Sequence, residues 1–196
     1  MEMINVVGKP CPIPVIEAKK AIRKLAAQGG EVAVLVDNDI ARQNLEKMAT
    51  GMGHSITSAA QADGNILVNI TVAAGVTSAE KGAGDTELIV AIGSNCMGKG
   101  EEELGKILMK SFIFSLTELD TPPEHILFYN SGAYLTGEDS TVLQDLQTLS
   151  AKGTLISTCG TCLNYYGIAD KLAIGEVTNM YGITTVMAQG KKVINL

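Results

Sequence analysis

The chain has 196 residues, 46% hydrophobic and 18% charged, a balance that reads as globular and suits one large domain or two small ones. A net charge of −6 with only 4% aromatic residues argues against direct nucleic-acid binding, since phosphate neutralisation and base stacking are both poorly supplied. No run approaches the roughly 18 apolar residues of a membrane span, and "MEMINVVGKP" is not a basic segment followed by an apolar core, so a cytoplasmic protein without membrane contact is expected.

In chain order, "INVV" (4–7) reads as a short strand. "GKPCPIPVIEAKKAIRKL" (8–25) places Cys11 between prolines at the mouth of an amphipathic helix. The first helical turn tolerates proline because its N–H groups have no intrahelical partner, so Pro12 and Pro14 mark the helix start. Val15, Ala18, Ile22 and Leu25 recur at helical spacing, and Lys19, Lys20, Arg23 and Lys24 fall mostly off that stripe. The four cations read as a solvated face, with a docking surface for an acidic partner as the sharper alternative. "EVAVLVD" (31–37) reads as a strand, "IARQNLEKMATGMG" (40–53) as a helix, and "HSITSAA" (54–60) and "NILVNITV" (65–72) as strands. The order βαβαββ predicts a two-layer sandwich, a four-stranded sheet with two helices on one face.

"AAGVTSAEKGAGDT" (73–86) is rich in small residues and reads as a flexible linker. Residues 87–196 have another rhythm. "ELIVAIGS" (87–94) reads as a buried strand, and residues 100–119 as a long helix with an acidic first turn. Residues 125–135 contain a strand, 140–153 form a helix capped by Ser140, and "TLISTCGTC" (154–162) is a strand running into a Cys-x-x-Cys turn. "LNYYGIADKL" reads as helical, "EVTNMYG" as a short helix, and "ITTVMAQG" and "KKVINL" as closing strands. Repeated βα units predict a doubly wound, mostly parallel α/β domain. Residues 1–72 balance seven Lys/Arg against seven Asp/Glu, so residues 73–196, with eight against fourteen, carry the whole acidic excess.

The chemistry centres on four cysteines, Cys11, Cys96, Cys159 and Cys162. In a reducing compartment they are expected as thiols. Sites of open α/β sheets form beyond the C-terminal strand ends, which would bring Asn95, Cys96, Asn130, Ser131, Cys159 and Cys162 to one rim. Cys11 and Cys159 both sit at helix starts, where exposed N–H groups stabilise a thiolate. Cys96 balances between that rim and an inert, buried thiol. Cys159 and Cys162 could be half a zinc site, but the second half of the ligand set is missing. A thioredoxin-like pair is a further reading. "GKGEEE" (98–103) reads as a plain turn, and His54 and His125, at strand starts, as structural.

Over residues 4–72, "CPIPV" with its basic helix, then "VLVDND" and "MGH", resembles the TusA (SirA-like) sulfur carriers. The resemblance implies that Cys11 carries sulfur as a persulfide, with Pro12 and Pro14 as the motif prolines. One departure is Asn5, where an Asp is usual. Residues 87–196 resemble the DsrE-like domains, whose active cysteine at the end of the third strand corresponds to Cys159, with Gly167 following and Cys162 as an extra thiol. Cys96 matches no cysteine of that family, which favours its inert reading. The two modules in this order are similar to the YedF proteins, sulfurtransferase-like and linked to selenium metabolism.

The expectation is therefore a sulfur or selenium carrier and transferase with domains 1–72 and 87–196. Sulfur would pass from Cys11 to the Cys159–Cys162 pair without metal or organic cofactor. A persulfide donor of the cysteine desulfurase kind and a downstream acceptor would be its partners. A homo-oligomer through the second domain is implied by the resemblance alone. The alternatives are a partner-binding module with Cys11 as sole carrier, and a Cys-x-x-Cys thiol–disulfide oxidoreductase. Treated as flexible, the fourteen residues of the linker span roughly 20 Å root-mean-square, enough for transfer within one chain.

Overall fold

The computed structural model describes residues 2–10, 12–75 and 88–196, apart from the side chains of Ile40 and Lys47. The chain divides into two compact units, Met1–Gly82 and Ala83–Leu196.

The first unit runs β1 (Glu2–Asn5), α1 (Ile13–Leu25), β2 (Gly30–Val36), α2 (Asp39–Gly51), β3 (Ser55–Ala60) and β4 (Ile66–Val72). Its sheet has the order β1-β2-β4-β3, with β1 parallel to β2 and the other pairs antiparallel. Alternate residues of the strands, Val32, Val34, Val36, Val68, Ile70 and Val72, point to one face. Ala18, Ala21 and Ile22 of α1 and Leu45 and Ala49 of α2 close over them. Both helices therefore lie on one side, as the βαβαββ order predicts. The buried stripe of α1 also takes in Pro14 and Ile16, while Val15 and Leu25 pack at its margin.

The departure at Asn5 is absorbed by the turn: its side-chain oxygen accepts the Val7 N–H at 3.1 Å. Residues 73–75 of the expected linker extend the first unit, since the Gly75 N–H donates to the Ala26 carbonyl at 3.0 Å. Residues 76–86 of that linker lie outside the described residues.

The second unit contains β5 (Leu88–Ile92), α3 (Glu102–Thr117), β6 (His125–Phe128), a 3-10 segment (Asn130–Thr136), α4 (Leu143–Ala151), β7 (Leu155–Cys159), α5 (Gly160–Tyr165), a 3-10 turn (Ala169–Lys171), β8 (Glu176–Thr178), α6 (Met180–Gln189) and β9 (Lys192–Asn195). The sheet order is β8-β7-β6-β5-β9, and every pair is parallel. Val90, Ile92, Ile126, Phe128 and Ile156 face α3 and α4 through Met109, Ile113, Leu146 and Leu149. Ile89, Ala91 and Leu127 face Ile183, Val186 and Met187 of α6. Covering both faces explains why these strands are continuous apolar runs. The unit is a doubly wound α/β domain.

Three local expectations are corrected. "ITTVMAQG" is helical, within α6, and "EVT" is the strand β8. The β-branched run Ile183–Val186 favours a strand locally. In the fold, Asn179 caps the helix by accepting the Gly182 N–H at 2.9 Å, and the Thr184 and Thr185 hydroxyls bond back to the Met180 and Tyr181 carbonyls. Ile183 and Val186 then meet the sheet at helical spacing. Ser140 is not the cap of α4. Its hydroxyl accepts the Val142 N–H at 3.3 Å in a preceding turn, and the helix starts at Leu143. "LNYYGIADKL" is not one helix: α5 ends at Tyr165, Gly167 takes a φ of 64°, and a 3-10 turn follows.

Candidate functional site

In the first unit, the loop between β1 and α1 is held from two sides. The Lys9 N–H donates to the Val6 carbonyl, and the Gly8 N–H donates to the Asp37 carboxylate at 2.7 Å. Asp37 also accepts from the Asn38 side chain at 2.7 Å, and Asn38 caps α2 through the Ala41 N–H. These bonds, that from the Gly8 N–H first, hold the Asp37 carboxyl below the usual aspartate range. Pro12 is the residue before α1, and Pro14 is buried in its first turn. A hollow of about 80 Å³ lined by Lys9, Pro10, Pro14, Asn38 and Asn44 lies beside the loop. Cys11 itself lies outside the described residues. Of the cationic face, Lys20 pairs with Glu17 at 3.4 Å and Lys24 with Glu2 at 3.1 Å.

In the second unit, the segments following β5, β6 and β7 meet at the C-terminal rim of the sheet. The Asn95 N–H donates to the Ser131 hydroxyl at 3.4 Å, joining the first to the second. The Asn130 N–H donates to Cys162 Sγ at 3.0 Å, joining the second to the third. Gly132 makes this approach feasible, because a Cβ there would lie 2.3 Å from the Ile92 carbonyl oxygen. Cys96 is half-buried and turns toward α3: its thiol lies 3.6 Å from Asn95 Oδ1 and 3.8 Å from the Glu102 carbonyl. The residues around it form a turn, with Gly98 at a φ of 84°, before the ion pair Lys106–Glu102 at 2.6 Å.

Cys159 ends β7 and immediately precedes α5, buried at 2% exposure, while Cys162 is half-buried one turn on. Burial raises the pKa of Cys159. The N–H and thiol of Cys162 and the N–H and hydroxyl of Thr161 outweigh it, and the net shift is downward. Burial also raises Cys162, the Asn130 N–H works the other way, and the neighbouring Cys159 adds to the rise. The pair is thus split into a favoured thiolate, Cys159, and a favoured thiol, Cys162. Among the described residues no three His, Cys, Asp or Glu side chains group as metal ligands.

Two side chains here escaped the sequence reading. Thr161 lies inside the Cys-x-x-Cys motif. Tyr166 lies four residues beyond Cys162, a spacing that puts both on one side of a helical turn. Its hydroxyl donates to Asn130 Oδ1 at 2.8 Å, and its ring lies 4.7 Å from that of Tyr134.

The second unit is thus a parallel α/β domain with Cys159 and Cys162 at the C-terminal rim of its sheet, and the first unit carries Pro12 and Pro14 at the start of α1. Residues 2–72 match the family described as Sulfurtransferase TusA. Over 70 residues the chain is 30% identical to a candidate sulfur carrier protein of Methanocaldococcus jannaschii, covering 36% of this chain and 92% of that protein. Over its N-terminal segment, the chain belongs to the TusA family.

Among solved structures, the SirA-like protein of Desulfitobacterium hafniense is 54% identical, over 36% of this chain and 96% of its own, with a TM-score of 0.36. A protein of unknown function from Methanobacterium thermoautotrophicum is 20% identical, over 57% of this chain and all of its own, with a TM-score of 0.45. The ychN protein of Escherichia coli is 19% identical, over 56% and 97%, with a TM-score of 0.42. No helix among the described residues is long and apolar enough to cross a membrane.

Proposed function

We propose that the protein carries sulfur, or selenium, as a persulfide on Cys11 and passes it to Cys159, with Cys162 resolving the product. The TusA family membership of residues 2–72 supports the carrier role of Cys11. The observation that carries the second half is the placement of Cys159 immediately before α5, with Cys162 one turn on and held by the Asn130 N–H at 3.0 Å.

The chemistry is written as three displacements. The Cys11 thiolate attacks the terminal sulfur of a donor persulfide, forming Cys11–S–SH and releasing the donor thiolate. The Cys159 thiolate then attacks that terminal sulfur, forming Cys159–S–SH and returning Cys11 as a thiolate. Deprotonated Cys162 finally attacks Cys159 Sγ. The Sγ–Sγ bond forms, the persulfide S–S bond breaks, and hydrosulfide leaves. A dithiol reductant returns the resulting disulfide to two thiols. The donor and the final acceptor are separate proteins or small thiols, and the DsrE-like and YedF-like character of the second domain belongs to this same reading.

The Cys159–Cys162 pair also favours a second reading, a thiol–disulfide oxidoreductase in which no sulfur reaches Cys159. Loading the full chain from a persulfide donor and mapping added mass by peptide separates the two. Added sulfur on Cys11, then on Cys159, supports the relay. Sulfur stalled on Cys159 in Cys162→Ser supports the resolving step. Sulfur on Cys11 alone in Cys162→Ser, with none reaching Cys159, overturns the relay in favour of redox exchange.

A further inference from the structure

Asn130 is the one described non-glycine residue with a positive φ, at 49°. Left-handed backbone is disfavoured for side-chain-bearing residues, though asparagine tolerates it better than most. Three contacts impose it. The Tyr129 N–H donates to the Ile92 carbonyl at 3.1 Å, the Tyr166 hydroxyl donates to Asn130 Oδ1 at 2.8 Å, and Gly132 sits against the end of β5. The consequence is that the Asn130 N–H points at Cys162 Sγ from 3.0 Å. Tyr166 belongs to the turn begun by Cys162, since its N–H donates to the Cys162 carbonyl at 3.0 Å. Cys162, Tyr166 and Asn130 therefore form a closed ring of contacts. Strained backbone of this kind persists where the surroundings over-determine it, and it clusters at functional sites.

We propose that Asn130 is a positioning residue whose left-handed backbone holds its N–H against Cys162 Sγ and stabilises the negative charge that sulfur carries when it resolves Cys159. This deepens the reading of Cys162 given above and rests on it. Each sulfur of the pair then has its own donors: Cys159 takes the N–H groups of Thr161 and Cys162, and Cys162 takes that of Asn130. In the deprotonation concerned, only the Cys162 S–H bond breaks, and its proton passes to solvent. The titratable groups facing Cys162 are Cys159 and Tyr166, with Tyr134 and Tyr165 packed on Tyr166.

The test uses the full chain with Cys159→Ser, so that Cys162 titrates without its partner. Iodoacetamide alkylation is followed by peptide mass across pH, with the Cys96 peptide as internal control. Asn130→Val, which resists a positive φ, is expected to slow Cys162 alkylation about tenfold at pH 8, the equivalent of one unit in the midpoint. Asn130→Gly, which adopts that φ freely, is expected to stay within about twofold of the parent. Cys96 should not respond to either. A Cys162 rate unchanged in Asn130→Val, or lost equally in Asn130→Gly, overturns the proposal. Should Asn130→Val fail to fold, Tyr166→Phe decides in its place: a raised midpoint supports the proposal, and an unchanged one overturns it. Because this readout needs no sulfur donor, a failed relay with an intact Asn130 effect would remove the transfer reading and leave the positioning role standing.

Discussion

The Gly8 N–H donates to the Asp37 carboxylate at 2.7 Å, joining two turns that lie 29 residues apart in the chain. One turn precedes the Cys-Pro-x-Pro helix, and the other starts α2 through the Asn38 cap. Because the folded pKa of Asp37 is lowered, its contribution to stability is present above the unfolded carboxylate value. It is lost as pH falls through the folded value. Asp37→Ala is therefore expected to lower the melting temperature of the full chain at pH 7. The difference from the parent should close in acid, below about pH 4. Thermal melts at several pH values check it, and a pH-independent difference would contradict the charge argument.

The Cys159–Cys162 pair yields a second expectation. Thiolate absorbance should report Cys159 ionising below an ordinary thiol, whose value is about 8.5. Cys162→Ala removes the thiol donor, so the Cys159 midpoint should rise. Cys159→Ser removes the neighbouring charge, so the Cys162 midpoint should fall toward the ordinary value. Midpoints that stay fixed in both variants would mean that the two sulfurs do not interact.

Gly132 should tolerate no side chain. A Cβ would lie 2.3 Å from the Ile92 carbonyl oxygen, and backbone cannot yield as a side-chain tip can. Gly132→Ala is expected to cost about 1–3 kcal/mol, the usual range for overpacking. It should also change the reactivity of Cys162, since it displaces the segment that carries the Asn130 N–H. Denaturant unfolding and alkylation of Cys162 test the two effects separately.

Asn179→Ala should destabilise the second unit by about 1 kcal/mol, the typical loss of an N-cap side chain. The side chain accepts the Gly182 N–H at 2.9 Å and starts α6. Asn179→Asp should retain most of the stability, because the carboxylate accepts the same bond. A loss in the aspartate variant as large as in alanine would assign Asn179 another role.

The sequence alone was enough for the architecture, because the signals that set it are periodic and local. Val32, Val34 and Val36 alternate as a half-buried strand must, and Val90 to Ile92 run unbroken as a strand covered on both faces must. Prolines at the start of α1 and the position of Cys159 at a strand-to-helix turn are legible for the same reason. Tertiary structure decided what depends on partners distant in the chain. Ile183 to Val186 carry a strand propensity and become helix because the open face of Ile89, Ala91 and Leu127 needs a helical stripe over it. Cys162 and Asn130 are 32 residues apart, and no spacing rule pairs them. Only the parallel order of β5, β6 and β7, which brings their C-terminal ends to one rim, sets that N–H on that sulfur.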